Sequence, residues 1–200
     1  MNVELLVYTP CPEELIERAY RICWGTDSNE VTRDSFIKRC IGREHETPLE
    51  HASATFYISG VSRALLTQIT RHRLASFSVA SQRYIAADKF SFIGIPSMSG
   101  TAHLEEARLI YDMHMRNQQH VYSQLRDLGV PKEDARMVLG QGTTTEFIMT
   151  ANFREWRHII NLRCNKEAQW EIREVMKEVL RQLYGIAPAV FGDLQEKFSG

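Results

Sequence analysis

Residues 143–164 read TTTEFIMTANFREWRHIINLRC, and this stretch decides the fold class. Thr143 to Ala151 is β-branched and aromatic, the composition of a strand. Asn152 follows with Glu155 three residues on, the spacing of a capping box, so a helix is expected from Phe153 to about Cys164. Taken with the strands and helices on either side, this stretch reads as part of one α+β domain. Downstream, Ile172, Met176, Val179 and Leu183 make Ala168–Tyr184 an amphipathic helix. Upstream, Leu104, Ala107, Tyr111, Met115, Tyr122 and Leu125 give the same signal from Ala102 until Gly129 stops it, and Pro131 suits the first turn of a short helix.

Nearer the amino end, Val3–Thr9 and Ala52–Ile58 alternate as strands do. Glu13–Trp24 is expected to be a helix burying Leu15, Ala19 and Ile22, and Thr32–Cys40 a second one. Val61–His72 reads as a helix with an apolar stripe of Val61, Leu65 and Ile69. At about 100° per residue, Gln68 and His72 fall inside that stripe. Residues 74–100 are rich in serine and aromatics without sustained period and read as a long functional loop with room for short strands. There is no internal repeat or linker. The expectation is one domain over residues 1–200, with a central, mostly antiparallel sheet flanked by helices.

With 24 Lys plus Arg against 25 Asp plus Glu in 200 residues, the charge is balanced, which argues against a protein that coats nucleic acid. The four cysteines form no C-x-x-C pair, and reduced thiols are expected. Met1-Asn2-Val3-Glu4 lacks the basic flank and apolar core of a signal peptide, and no apolar run is long enough to span a membrane. The expected compartment is the cytoplasm.

Two clusters carry chemistry. Arg71-His72-Arg73 is followed by Ser76, Ser78, Ser81, Gln82 and Arg83; arginine forks and hydroxyls suit a phosphate or carboxylate, although a solvated basic turn has the same composition. The second is Asn152, Arg154, His158, Asn161 and Arg163. Arg154 and His158 share a helix face, and Arg163 sits where a cation also complements the helix dipole. A metal site is not expected. His45-Glu46 lacks a second histidine four positions after the first, because Leu49 is there, and Pro48 breaks the required helix.

Arg71-His72-Arg73, then seven residues, then Ser81 resembles the signature of the flavin-dependent thymidylate synthases. The likeness extends to His45-Glu46-Thr47-Pro48-Leu49-Glu50-His51, Gly129-Val130-Pro131 with Ala135-Arg136, Asn152-x-Arg154, Leu162-Arg163 and Ala168-Gln169-Trp170-Glu171. These blocks keep the family's order over residues 45–173.

The resemblance implies an enzyme that methylates dUMP to dTMP. Methylenetetrahydrofolate gives the carbon, reduced FAD the hydride, and NADPH reduces the flavin. It also implies a homotetramer with active sites shared between subunits. Carried over by motif, His45, Thr47, Arg71, His72, Arg73, Asn152, Arg154 and His158 face FAD. Gln68, Arg71, Ser81, Gln82, Arg83, Arg136 and Arg163 hold dUMP, and Arg163 is the catalytic cation at the uracil ring. No cysteine lies in the motif, so no covalent enzyme nucleophile is expected. Ser78, Val79, Ala80 and Glu167 depart from the family pattern. A flavin- or nucleotide-binding protein without turnover is the alternative reading.

Overall fold

Strand β4 (Thr144–Asn152) passes without a loop into helix α6 (Phe153–Arg163). The Asn152 side chain accepts a hydrogen bond from the Glu155 N–H at 2.9 Å, so the anticipated cap is present. In this computed structural model, residues 1–25, 32–85, 91–100 and 102–199 are described. Ahead of β4 come β1 (Asn2–Tyr8), α1 (Pro12–Trp24), α2 (Arg33–Ile41), β2 (Ser53–Ser62), α3 (Arg63–Ile69), β3 (Ser76–Val79), α4 (Leu104–Asp127) and α5 (Lys132–Ala135). After α6 follow α7 (Trp170–Ile186) and α8 (Pro188–Phe198). The four strands form an antiparallel sheet in the order β1-β2-β4-β3, and the fold is α+β.

Register follows from burial. Ala54, Phe56 and Ile58 are buried on β2, and Phe147, Met149 and Ala151 on β4, every second residue in each strand. Phe153 N–H donates to Ala52 O at 2.8 Å, and the Thr55 and Thr150 hydroxyls meet at 2.9 Å.

Contacts divide the chain into two units. One holds residues 1–58, 69–78 and 148–200; the other holds 59–68 and 79–147. The chain crosses between them at 58/59, 68/69, 78/79 and 147/148, so neither is a continuous run of sequence. The first unit contains a core around Trp156, which is fully buried, packs edge-on against Phe56 at 5.2 Å and donates to Ala54 O. In the second, Tyr122 and Ala135 are buried against Leu125, Val130, Val138 and Leu139. Gly129, at φ +87°, ends the α4 segment in the left-handed conformation that a side chain would strain.

Several expectations need correction. Helix α1 buries Ile16 and Tyr20, whereas Leu15 and Ile22 are exposed at 38% and 74%. The neighbouring stripe wins because the Tyr20 ring packs on Phe36 while its hydroxyl donates to His45 O. Helix α3 is shorter than Val61–His72: β2 runs on to Ser62, whose hydroxyl accepts from Leu65 N–H and caps the helix start. His72 lies beyond the helix in a turn, its N–H bonded to Ile69 O, and is buried all the same. Helix α7 begins at Trp170 rather than Ala168, and Gln169 caps it, its side chain accepting from the Glu171 and Ile172 N–H groups. Pro131 caps α5 from outside rather than entering it. The stretch 74–100 contains β3, a short strand of the kind allowed for there, and a 3-10 turn at Pro96–Gly100, while residues 86–90 lie outside the described residues. Helix α8 was not anticipated; it buries Ala189, Val190, Phe191 and Leu194. Among the described residues no helix is long and apolar enough to cross a membrane.

Candidate active site

All eight residues expected to face FAD lie in the first unit. Asn152, Arg154 and His158, from the start of α6, line a cavity of about 420 Å³ together with Glu46, Leu74 and Glu155. Helical spacing sets Arg154 and His158 on one face, and both are exposed there. Arg154 Nη1 pairs with Glu50 Oε1 at 2.6 Å, which raises the already high pKa of the guanidinium. Asn152 spends its oxygen on the helix cap, leaving Nδ2 for a ligand. Thr47 is exposed at the start of the 3-10 turn Thr47–His51.

His45 is held by aromatic neighbours. Its ring stacks on Trp24 at 6.0 Å and meets Tyr20 edge-on at 5.5 Å. Trp24 Nε1–H donates to His45 Nδ1 at 2.8 Å, so Nε2 is the nitrogen left for other partners. Arg71 and Arg73 are exposed, and among the described residues neither forms an ion pair. This donor set fits a diphosphate-bearing cofactor: guanidinium groups match phosphate oxygens, and the cavity offers an amide and an imidazole.

His72 is 6% exposed. Arg163 Nε–H donates to its Nε2 at 3.0 Å, and its ring meets that of His158 edge-on at 5.8 Å. Burial first, then the charges of Arg163, His158 and Arg71, push its pKa down to about 4, so the ring is neutral at pH 7. Arg163 is itself lowered by burial and by Arg71. The first unit therefore brings Arg71, His72, His158 and Arg163 together.

The other expected nucleotide ligands, Gln68, Ser81, Gln82, Arg83 and Arg136, lie in the second unit. Gln68 Nε2–H donates to Ala64 O, and the Ser81 hydroxyl accepts from the Arg83 N–H. Arg83 and Arg136 converge on Glu133: Arg83 Nε lies 2.6 Å from its carboxylate, and Arg136 Nε–H donates to its carbonyl at 2.9 Å. Arg63 is lowered by burial and by Arg136. Gln82 is 6% exposed, and its Nε2 has no hydrogen-bond partner among the described residues. A buried amide N–H2 left unsatisfied costs free energy that a ligand oxygen would recover.

The departing positions 78–80 keep an ordered backbone: Ser78 and Val79 belong to β3, and Ala80 N–H donates to Glu146 O at 2.9 Å. Glu167 is exposed in the turn before α7. Cys164 follows Arg163 but is 3% exposed, and burial pushes its thiol up to about 12, far from a thiolate at neutral pH.

Sequence reading missed Glu155 and Glu133 as site residues. Glu155 was seen only as a cap partner, yet it is 7% exposed and its carboxyl oxygen lies 3.6 Å from His72 Nδ1. The available signal was its place on the inward stripe of α6 with Trp156, Ile159 and Ile160. His72, Glu155 and His158 set three possible metal donors within 4.8 Å of one another. The guanidinium groups of Arg163 and Arg71, which help keep His72 unprotonated, also oppose a divalent cation there.

A family model described as thymidylate synthase complementing protein matches residues 4–189. The chain is 39% identical to the flavin-dependent thymidylate synthase of Geobacter sulfurreducens, an alignment covering 96% of this chain and 86% of that one. It is 33% identical to the enzyme of that name from Clostridium tetani, covering 100% and 87%, and 36% identical to that of Pyrococcus furiosus, covering 92% and 79%.

Proposed function

Because the chain belongs to the flavin-dependent thymidylate synthase family, we propose that it makes dTMP by reductive methylation of carbon 5 of dUMP. In this reading methylenetetrahydrofolate donates the carbon and NADPH is the reductant. FAD, when bound, supplies the hydride. The working form is a homotetramer with active sites shared between subunits.

The roles of this chain's residues follow from their chemistry. Arg83 and Arg136 take the nucleotide phosphate, with Gln82, Ser81 and Gln68 as neutral hydrogen-bond partners, and Arg71 is a further nucleotide ligand. Arg163 stands at the uracil ring. Carbon 5 of uracil is a weak nucleophile that strengthens as negative charge grows on the ring amide. A guanidinium that never titrates near neutral pH stabilises that charge without a proton transfer. His45, Thr47, Arg73, Asn152, Arg154 and His158 hold the cofactor, and the arginines suit its diphosphate. Cys164 takes no part, since its buried thiol cannot serve as a nucleophile.

The observation that carries this reading is Gln82: a buried amide nitrogen without a partner among the described residues, next in sequence to an arginine that meets a second arginine at Glu133. The test is tritium release from dUMP labelled at carbon 5, with FAD, methylenetetrahydrofolate and NADPH present. Release coupled to dTMP formation is expected. Flavin and dUMP binding without release would instead favour the binding protein that lacks turnover.

A further inference from the structure

The turn after α3 and the inward stripe of α6 form a chain of three side chains. Arg163 Nε–H donates to His72 Nε2 at 3.0 Å, and His72 Nδ1 lies 3.6 Å from Glu155 Oε1. Glu155 and His72 are both buried, and Arg163 is half-buried. We propose that His72 and Glu155 are positioning residues for Arg163, the imidazole fixing the guanidinium plane and the carboxyl group fixing the imidazole. This rests on the role proposed above for Arg163.

The protonation pattern is dictated by the hydrogen bond. Arg163 Nε is a donor only, so His72 Nε2 must present its lone pair, and the neutral ring carries its proton on Nδ1, facing Glu155. The groups around the ring are Arg163, Arg71, His158 and Glu155, and the three basic ones oppose its protonation. The acceptor therefore persists across the neutral range. With 3.6 Å between the atoms and an uncharged ring, the Glu155 contact orients a dipole rather than forming an ion pair.

An arginine side chain has several rotatable bonds and must stop sampling them before its charge is useful. Holding Nε settles the plane in which the guanidinium group lies. The same hydrogen bond occupies the outer nitrogen of His72. That makes a ring 6% exposed a poor direct ligand for a flavin and a good anchor for its neighbour.

The test uses FAD-loaded protein: wild type, His72→Leu, His72→Gln and Glu155→Leu. Flavin absorbance reports loading, steady-state kinetics separate kcat from the KM for dUMP, and ¹⁵N spectra follow the Arg163 Nε–H signal, assigned by its loss in Arg163→Lys. His72→Leu should keep its flavin, lose about 10²-fold in kcat with a smaller change in KM, and shift the Nε–H signal. His72→Gln, whose amide oxygen also accepts, should recover most of both. If His72→Leu does not fold, Glu155→Leu carries the test, with about a tenfold loss in kcat and a broadened Nε–H signal. A wild-type Nε–H signal in His72→Leu or in Glu155→Leu overturns the proposal, as does a loss in His72→Gln equal to that in His72→Leu. If the wild-type protein itself shows no turnover of dUMP, the proposed function fails, and the Nε–H signal alone decides the positioning.

Discussion

Arg157 grips Asp193 with both terminal nitrogens, Nη1 to Oδ1 and Nη2 to Oδ2, each at 2.7 Å. The pair ties α6 to α8, and Arg157 also donates to Val190 O. Arg157 Nε lies 3.4 Å from the carboxylate of Glu46, a residue that lines the cavity beside Arg154 and His158. Burial disfavours the charged guanidinium, but Asp193 and Glu46 outweigh it and raise its pKa. Arg157 is only 7% exposed, so removing its partner leaves a charge that water cannot reach. Asp193→Ala should therefore destabilise the protein by about 3 kcal/mol, at the lower end of the range for a broken buried pair because Asp193 itself is exposed. Guanidinium chloride unfolding checks it, and an unchanged midpoint would show that the pair is ornamental.

The buried ring of His72 predicts a pH dependence of stability. Its folded pKa is about 4 against an ordinary 6.5. Between these values the unfolded chain binds a proton that the folded chain refuses. Stability is thus fully present above about pH 6.5 and falls as the pH drops toward 4, by on the order of 3 kcal/mol from this group alone. Burial raises Glu155 in the same cluster, which acts in the opposite direction. The melting temperature of the wild type should accordingly drop further from pH 7 to pH 5 than that of His72→Gln. Parallel curves for the two proteins would refute the assignment.

What could be read in the sequence and what could not divides along a physical line. The Asn152 cap, the β4–α6 junction and the α4 stripe are local signals, set by side chains a few residues apart, and the structure carries them. The α1 face went to Tyr20 instead of Leu15 because a phenol hydroxyl reached His45 O, a partner 25 residues away. The inward placement of His72 was anticipated from helical spacing, yet the helix ends at Ile69 and a turn buries the ring. Glu155 and Glu133 escaped notice because a place on a helix face does not tell what a carboxyl group meets across the fold. Each acquires meaning only from His72 or Arg83, brought near by tertiary structure.

Glu133 holds Arg83, the residue proposed to take the nucleotide phosphate, with its carboxylate 2.6 Å from Arg83 Nε. Both side chains are substantially exposed, so the pair itself is weak. Glu133→Gln should leave Arg83 available and tighten dUMP binding by about 0.5 kcal/mol. Arg83→Ala should weaken it by about 1.5–3 kcal/mol, the worth of a charge-assisted hydrogen bond. Titration of dUMP into the protein measures both. Changes of the same sign in the two variants would remove Arg83 from the phosphate site.

Arg163→Ala separates binding from chemistry. The side chain sits at the carboxyl end of α6, where a cation complements the helix dipole, so a small loss of stability is expected, on the order of 0.5 kcal/mol. The residues proposed to hold FAD are untouched by the change, and flavin absorbance should remain. The charge proposed to stabilise the developing uracil anion is gone, and kcat/KM should fall by about 10³-fold, comparable to the loss of an oxyanion donor. Arg163→Lys should also fail to restore the rate. A lysine has no Nε–H to give His72 and no fork to aim at the ring. Tritium release from labelled dUMP, measured against flavin content in the same samples, makes the distinction. Near-normal release from flavin-loaded Arg163→Ala would strip Arg163 of its place at the uracil ring.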